Sequence, residues 1–234
     1  MILANHGIVS SSGGFTPTTL NVGIAHVINA ENTYISSTSG IAGSGIGGMS
    51  FGTGLIGQCF TSNGINSYVS YNTASLNFTN SFSASFWVKT TTLQVGTNGL
   101  ISSYDYSSSN YGYYIGLNTT NKIELFWNNT TDNLYVSTNS IIQNQWNHIV
   151  VIWDKINTNW KVYVNNVLDI NTTVASANNI RYLGSEKSNI CSIYNDAANS
   201  LNGNIDATSM WNKTLTNAEV NELYNGGSGK QYPY

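Results

Sequence analysis

The chain has 234 residues, a formal net charge of −3 and only 8% charged residues, against the ~25% usual for soluble domains. Its surface must therefore be built largely from Asn, Ser, Thr, Gly and 15 Tyr, and without a Lys/Arg-rich run it offers no electrostatic footprint for nucleic acid or an anionic membrane. No apolar run approaches the ~20 residues that cross a bilayer. Met1 to Gly14 lacks the basic head and ~7–15-residue apolar centre of a secretory signal, which sets an expectation of cytosolic synthesis.

Residues 1–19 are small and polar, with a Ser-Ser-Ser-Gly-Gly run and Pro17, and read as an N-terminal arm. A single domain is expected over 20–225, followed by a tail over 226–234. Ala25 to Ile28 is apolar, and the Gly/Ser-rich stretch 36–54 reads as a long surface loop. From Leu55 onward the hydrophobic period is two. Phe82, Ala84, Phe86 and Val88 share one face of a strand, and Ser83, Ser85, Trp87 and Lys89 share the other. Tyr104-Asp105-Tyr106 precedes Tyr111-Gly112-Tyr113-Tyr114, the densest tyrosine segment of the chain. Ile123, Leu125 and Trp127 alternate in the same way as the earlier strand. Ile149 to Trp153 is a continuous β-branched run that suits a strand covered on both faces. Asn165-Asn166 separates two apolar segments and suits a type I′ hairpin, because Asn tolerates positive φ.

Near the C-terminus, Ile205 to Met210 reads as a strand, and Thr216 opens a helix with Glu219 three residues on, the spacing of a capping box. Leu215 and Val220 form the matching hydrophobic staple, and Gly226 or Gly227 is positioned to close the helix. Strands at roughly 8–12-residue spacing with turn signals between them predict an all-β sandwich or barrel. Cys59 and Cys191 could bridge only if folding brought them together, and cytosolic synthesis favours two free thiols.

In order along the chain stand Gly57-Gln-Cys-Phe60, Thr61-Ser-Asn-Gly64, Ser67-Tyr-Val69, Ala74-Ser-Leu-Asn-Phe78 and Phe82-Ser-Ala-Ser-Phe-Trp-Val88. Gly99-Leu-Ile-Ser102, Trp146-Asn-His-Ile-Val-Val151, Trp160 to Val167, Gly203-Asn-Ile-Asp206 and Leu215 to Tyr224 complete the series. This succession resembles the laminin G-like, concanavalin A-like lectin/glucanase family over roughly residues 20–225. The resemblance implies a jelly-roll sandwich of two antiparallel sheets with one short C-terminal helix. It also implies that His148 serves packing.

The glucanase branch would need two acids on one strand face at i, i+2 or i, i+4. Glu219 and Glu222 are the nearest pair, and they fall on the helix, so no enzyme activity is expected. Many laminin G-like domains hold a rim calcium, for which the corresponding positions here are Asn63, Asn66 and Asp206. These carry one carboxylate among amides where calcium favours several carboxylates, so no cofactor is assigned and calcium stays a secondary expectation. For sugar binding the expected residues are Tyr104 and Tyr106, read as an exposed loop pair, together with Tyr111; packing along an ordinary strand is the competing reading for this segment.

An adhesive-type sandwich, no export signal and a neutral amide-rich exterior together set a functional expectation. It is a non-enzymatic virion structural or adhesion protein, a bacteriophage head or tail fibre or decoration subunit. Such a protein would be made in the host cytoplasm and would contact a host-surface glycan or protein. The arm would attach to other virion proteins, and a homo-oligomer, trimer first, is expected by analogy with fibres. The alternative is an extracellular carbohydrate-binding module or glucanase-type glycoside hydrolase.

Overall fold

The computed structural model describes residues 18–234 except 73, 94, 107–110, 129–131, 175–179 and 195–196. The N-terminal arm expected over residues 1–19 lies almost wholly outside the described residues. Among them fifteen strands form two antiparallel sheets. The strands are β1 (Ile24–Ile28), β2 (Gly43–Ile46), β3 (Ser50–Thr53), β4 (Gln58–Asn63), β5 (Tyr68–Tyr71), β6 (Phe82–Thr90), β7 (Asn98–Asp105) and β8 (Tyr111–Leu117). They continue with β9 (Lys122–Asn128), β10 (Asp132–Ser140), β11 (Asn147–Asp154), β12 (Asn159–Val164), β13 (Val167–Thr173), β14 (Lys187–Ile190) and β15 (Asn202–Trp211), before helix α1 (Asn217–Tyr224).

The first sheet runs β13-β12-β11-β6-β15-β4-β3, and the second runs β10-β9-β8-β7-β14-β5-β2. β15 serves two neighbours on one edge: Asn202 to Ile205 pair with β4, and Thr208 to Trp211 pair with β1. The handover occurs at a register shift where Ala207 sits at φ 47°, an extra residue of the kind that bends a strand. The 36–54 loop expected from composition is therefore corrected, since it contains edge strands β2 and β3. Glycine content hid them because Gly has low strand propensity.

The alternation read from sequence places the core. Phe82, Ala84, Phe86 and Val88 of β6, with Ile149, Val151 and Trp153 of β11, face Leu100, Tyr113, Ile115, Leu125 and Trp127 between the sheets. The intervening residues of β11, Val150 and Ile152, are buried on the outer side with Leu20, Trp211, Leu215, Val220 and Leu223. A strand covered on both faces is what a continuous apolar run requires.

Helix α1 supplies that outer cover. Thr216 Oγ1 accepts from Glu219 N at 3.3 Å and Glu219 Oε2 accepts from Thr216 N at 2.8 Å, completing the capping box. The helix closes on Asn225 at φ 48°, one residue before the expected glycines. Asn165 and Asn166 hold φ 50° and 65°, both values the type I′ hairpin demands. The tail docks on its own domain: Tyr234 stacks on Trp211 at 6.0 Å and donates to Ser209 Oγ at 2.7 Å. Thr18 to Asn21 lie against the same face, with Trp211 Nε1 donating to Leu20 O at 2.7 Å and Asn21 to Tyr234 O at 3.1 Å. Cys59 and Cys191 are buried free thiols.

Candidate functional site

The outer face of the second sheet carries a cluster of aromatic rings separate from the main core. Pairing sets Phe126 of β9 beside Tyr114 of β8, and Tyr114 beside Ser102 of β7, so Tyr114 and Phe126 lie side by side on one face. Their rings are parallel with centroids 4.9 Å apart. Tyr104 stands edge-on to both, at 5.5 Å from Tyr114 and 5.4 Å from Phe126, the geometry ring quadrupoles favour.

Two glycines make this arrangement possible. Gly112 holds φ 95°, and a Cβ there would lie 2.0 Å from Ser103 O, so only glycine keeps β8 against β7 beside Tyr104. A Cβ on Gly99 would lie 2.3 Å from Ser192 C, so its absence lets the segment after β14 settle on β7. That segment brings Ile193 and Tyr194 over the cluster. Tyr194 is held at φ 55°, a left-handed conformation that costs a non-glycine residue roughly 1–3 kcal/mol. Tyr106, 69% exposed, completes the edge at 6.5 Å from both Tyr104 and Tyr194. Between them lies an open pocket of about 290 Å³, lined by these three tyrosines, Tyr114, Thr97, Ile193 and Asn199.

The surroundings keep the phenols neutral. Burial, and then the charge of Glu124, push the Tyr114 hydroxyl up to about 12. Tyr104 is raised above its ordinary 10.0 by burial first, with Tyr114 and Asp132 adding to it. Thr97 Oγ1 donates to Glu124 Oε2 at 2.6 Å, anchoring that wall. Neutral phenols beside amide and hydroxyl groups, framed by apolar ring faces, are suited to holding a polyhydroxylated ring without reacting with it.

The structure separates the sites expected from sequence. Tyr104 and Tyr106 share the pocket, but Tyr104 is a β7 residue only 5% exposed, not half of an exposed loop pair. Edge-on packing against Tyr114 and Phe126 buries it. Tyr111 is also buried, beneath the Arg181 guanidinium at 4.6 Å from its ring centre, and does not line the pocket. Sequence reading missed Tyr194, which arrives from a distant loop, and took Tyr114 as an ordinary strand residue.

The expected calcium ligands do not converge. Asn63 Oδ1 accepts from Ile65 N, Asn66 N and Ser67 Oγ, while its amide donates to Gly47 O and Asn66 Oδ1. Asp206 lies four residues along β15 from the partner of Asn63, roughly 13 Å at the rise of a strand. Its carboxylate accepts from Ile56 N at 2.9 Å and from Ala207 N at 2.6 Å, holding the turn before β4. These residues do not fit a shared cation, and among the described residues no group of three His, Cys, Asp or Glu could hold one.

Other chemistry-bearing groups are accounted for by packing. His148 Nε2 lies 2.8 Å from Ser85 Oγ, with both residues buried and the ring stacked on Trp87 at 4.9 Å beneath α1. Gly48-Met-Ser50-Phe-Gly52 has the spacing of a nucleophile elbow, but Ser50 opens the edge strand β3, not a strand-to-helix turn. Asp132 stands opposite Asn128 on β9, four residues from Glu124. Their backbones are roughly 13 Å apart, and each carboxylate has its own local donor, Thr97 Oγ1 for Glu124 and Asn128 Nδ2 at 2.9 Å for Asp132. A broader polar recess of about 660 Å³ lies beside Lys155 and Lys213. Their ammonium groups already donate to Thr79 O and Thr19 O.

Residues 63–221 match the family model for the concanavalin A-like lectin/glucanases superfamily. The chain belongs to that superfamily. Among solved structures, this concanavalin A-like chain is similar to domain 4 of the extracellular arabinanase AbnA from Geobacillus stearothermophilus, solved with arabinotriose. The TM-score is 0.67 at 19% identity, covering 85% of this chain and 97% of that one. It is similar to the binding domain of Paraclostridial Mosquitocidal Protein 1, at TM-score 0.71 and 16% identity over 88% of this chain and 52% of that one. A third likeness, at TM-score 0.65 and 18% identity over 87% and 51%, is to botulinum neurotoxin type C, whose cell entry depends on interaction with two ganglioside molecules. The chain thus spans about half the length of the toxin binding domains. No curated protein sequence matches it. At such identities the likeness concerns the fold.

Proposed function

We propose that this protein is a non-catalytic glycan-binding module whose ligand sits in the tyrosine-lined pocket on the outer face of the second sheet. The observation that carries the reading is the convergence of Tyr104, Tyr106, Tyr114 and Tyr194 from two strands and two loops around one open recess. Supporting it, similar sandwiches include an arabinanase domain solved with arabinotriose and a toxin dependent on gangliosides. The setting we propose is a virion surface, as a fibre or decoration subunit made in the host cytoplasm, where a low-charge, amide-rich exterior suits contact. Tyr106→Ala is the test: retention on a panel of immobilised glycans should fall at least tenfold while the unfolding temperature stays constant. Equal retention by the variant would refute the assignment of the pocket.

A second setting draws on the near-complete coverage of the arabinanase domain. In it the chain is the binding module of a carbohydrate-active enzyme, holding the same ligand class at the same pocket. Electron microscopy of the native assembly separates the two, showing either a particle or a neighbouring catalytic domain.

A further inference from the structure

The charges around the pocket are arranged asymmetrically. None of the side chains lining it is a cation. Two carboxylates, Glu124 and Asp132, stand on the same face of the sheet just outside that lining. Glu124 of β9 stands opposite Gly116 of β8, which projects no side chain, and Thr97 fills that space and donates to the Glu124 carboxylate. Asp132, exposed at the far end of β10, bears on both Tyr104 and Tyr114.

The cations of this sheet, Lys122 of β9 among them, are not part of the lining. Arg181 is committed to the face of Tyr111. Lys187 is the register partner of Tyr104 across β14 but does not line the pocket.

Resting on the glycan-binding reading above, we infer that the pocket selects uncharged glycans and rejects those ending in sialic or uronic acid. A ligand carboxylate seated among the four tyrosines would lie near Glu124 and Asp132, and the lining offers it no guanidinium or ammonium group. Carboxylated sugars are ordinarily held by such a group, often as a bidentate pair. An uncharged ring needs only hydroxyl, amide and aromatic contacts, which the lining provides. Discrimination of this kind comes from an unfavourable element facing the wrong ligand as much as from contacts to the right one.

The test uses the full chain on a surface bearing matched pairs of oligosaccharides, each neutral glycan beside its sialylated counterpart, read at low and at near-physiological salt. Neutral members should be retained at least tenfold better, with the ratio shrinking as salt screens the carboxylates. Glu124→Gln, which keeps an acceptor for Thr97, and Asp132→Asn should each narrow the ratio several-fold without reducing retention of the neutral member. Equal or stronger retention of sialylated members, or a ratio unmoved by both variants, would overturn the charge selectivity while leaving the pocket assignment intact. If no pair is retained and Tyr106→Ala changes nothing, the glycan-binding reading itself falls and takes this inference with it.

Discussion

Tyr104 and Tyr106 occupy one pocket but do different work. Tyr106 is mostly solvent-exposed, so its removal leaves the packing intact, whereas Tyr104 is wedged edge-on against two rings. Tyr104→Ala should therefore cost about 3 kcal/mol, as large-to-small changes of buried aromatic residues do. Urea denaturation would show the loss, and an unchanged midpoint would mean that the ring cluster is not packed as described. Tyr104→Phe keeps the ring and removes the hydroxyl, so any loss of glycan retention in that variant belongs to the hydrogen bond. At this scale the sequence was partly legible. A run of tyrosines marked the region, but alternation could not say which ring lay beneath another. Tyr194 could not be placed, because its position depends on Gly99 admitting a loop from far along the chain.

The first sheet carries two buried titratable groups that oppose one another. His148 lies beneath Tyr224 and Trp87, and burial lowers it from 6.5 to about 3. Its contribution to stability is whole above pH 6.5 and drains away as pH falls toward 3. Asp206 behaves in reverse. Burial, offset in part by its backbone hydrogen bonds, raises it from 3.8 to about 6, so its contribution is whole below 3.8 and is lost as pH rises through about 6. At 1.36 kcal/mol per pK unit, acidification from about pH 7 to pH 4 removes about 3 kcal/mol through His148 and restores about 2 kcal/mol through Asp206. The two groups oppose one another, so wild-type stability should change less across that window than His148 alone would dictate. Asp206→Asn should expose the His148 slope, and chemical denaturation at several pH values reads both. A variant as flat as the wild type would show that His148 is not held neutral by the fold. Below about pH 4.5 Glu219 adds a further loss: burial pushes it upward, but bonds from Lys213, Thr19 and Thr216 outweigh this and hold it at about 2. The helix was the most legible element because its capping box is a local code within four residues. Thr216→Ala should cost about 1 kcal/mol by denaturation. The strands β2 and β3 were not legible, since their pairing comes from neighbours and not from their own glycine-rich residues.

For the whole molecule, the sandwich separates the segment Thr18 to Asn21 and the C-terminal tyrosine from its pocket. Thr18 to Asn21 and the C-terminal Tyr234 meet on the outer face of the first sheet, around Trp211 and α1. The tyrosine pocket opens on the outer face of the second, with the hydrophobic core lying between. The two-sheet architecture was legible in the period-two pattern, because alternation directly encodes which residues face inward. The assignment of Thr18 to Asn21 and Tyr234 to the face opposite the pocket was not, since it depends on sheet order and not on local periodicity. This arrangement predicts how orientation controls binding. A chain tethered to a surface through either terminus should present the pocket outward and retain a polymeric glycan as well as the free protein does. A chain tethered through Val95→Cys, at a 95% exposed position two residues from the lining residue Thr97, should lose that retention against polymer while still binding a small oligosaccharide. Surface plasmon resonance with both ligand sizes makes the comparison. Loss of polymer binding on tethering through a terminus would show that the ligand contacts the helix face instead, and equal binding in every orientation would show that no single face carries the site.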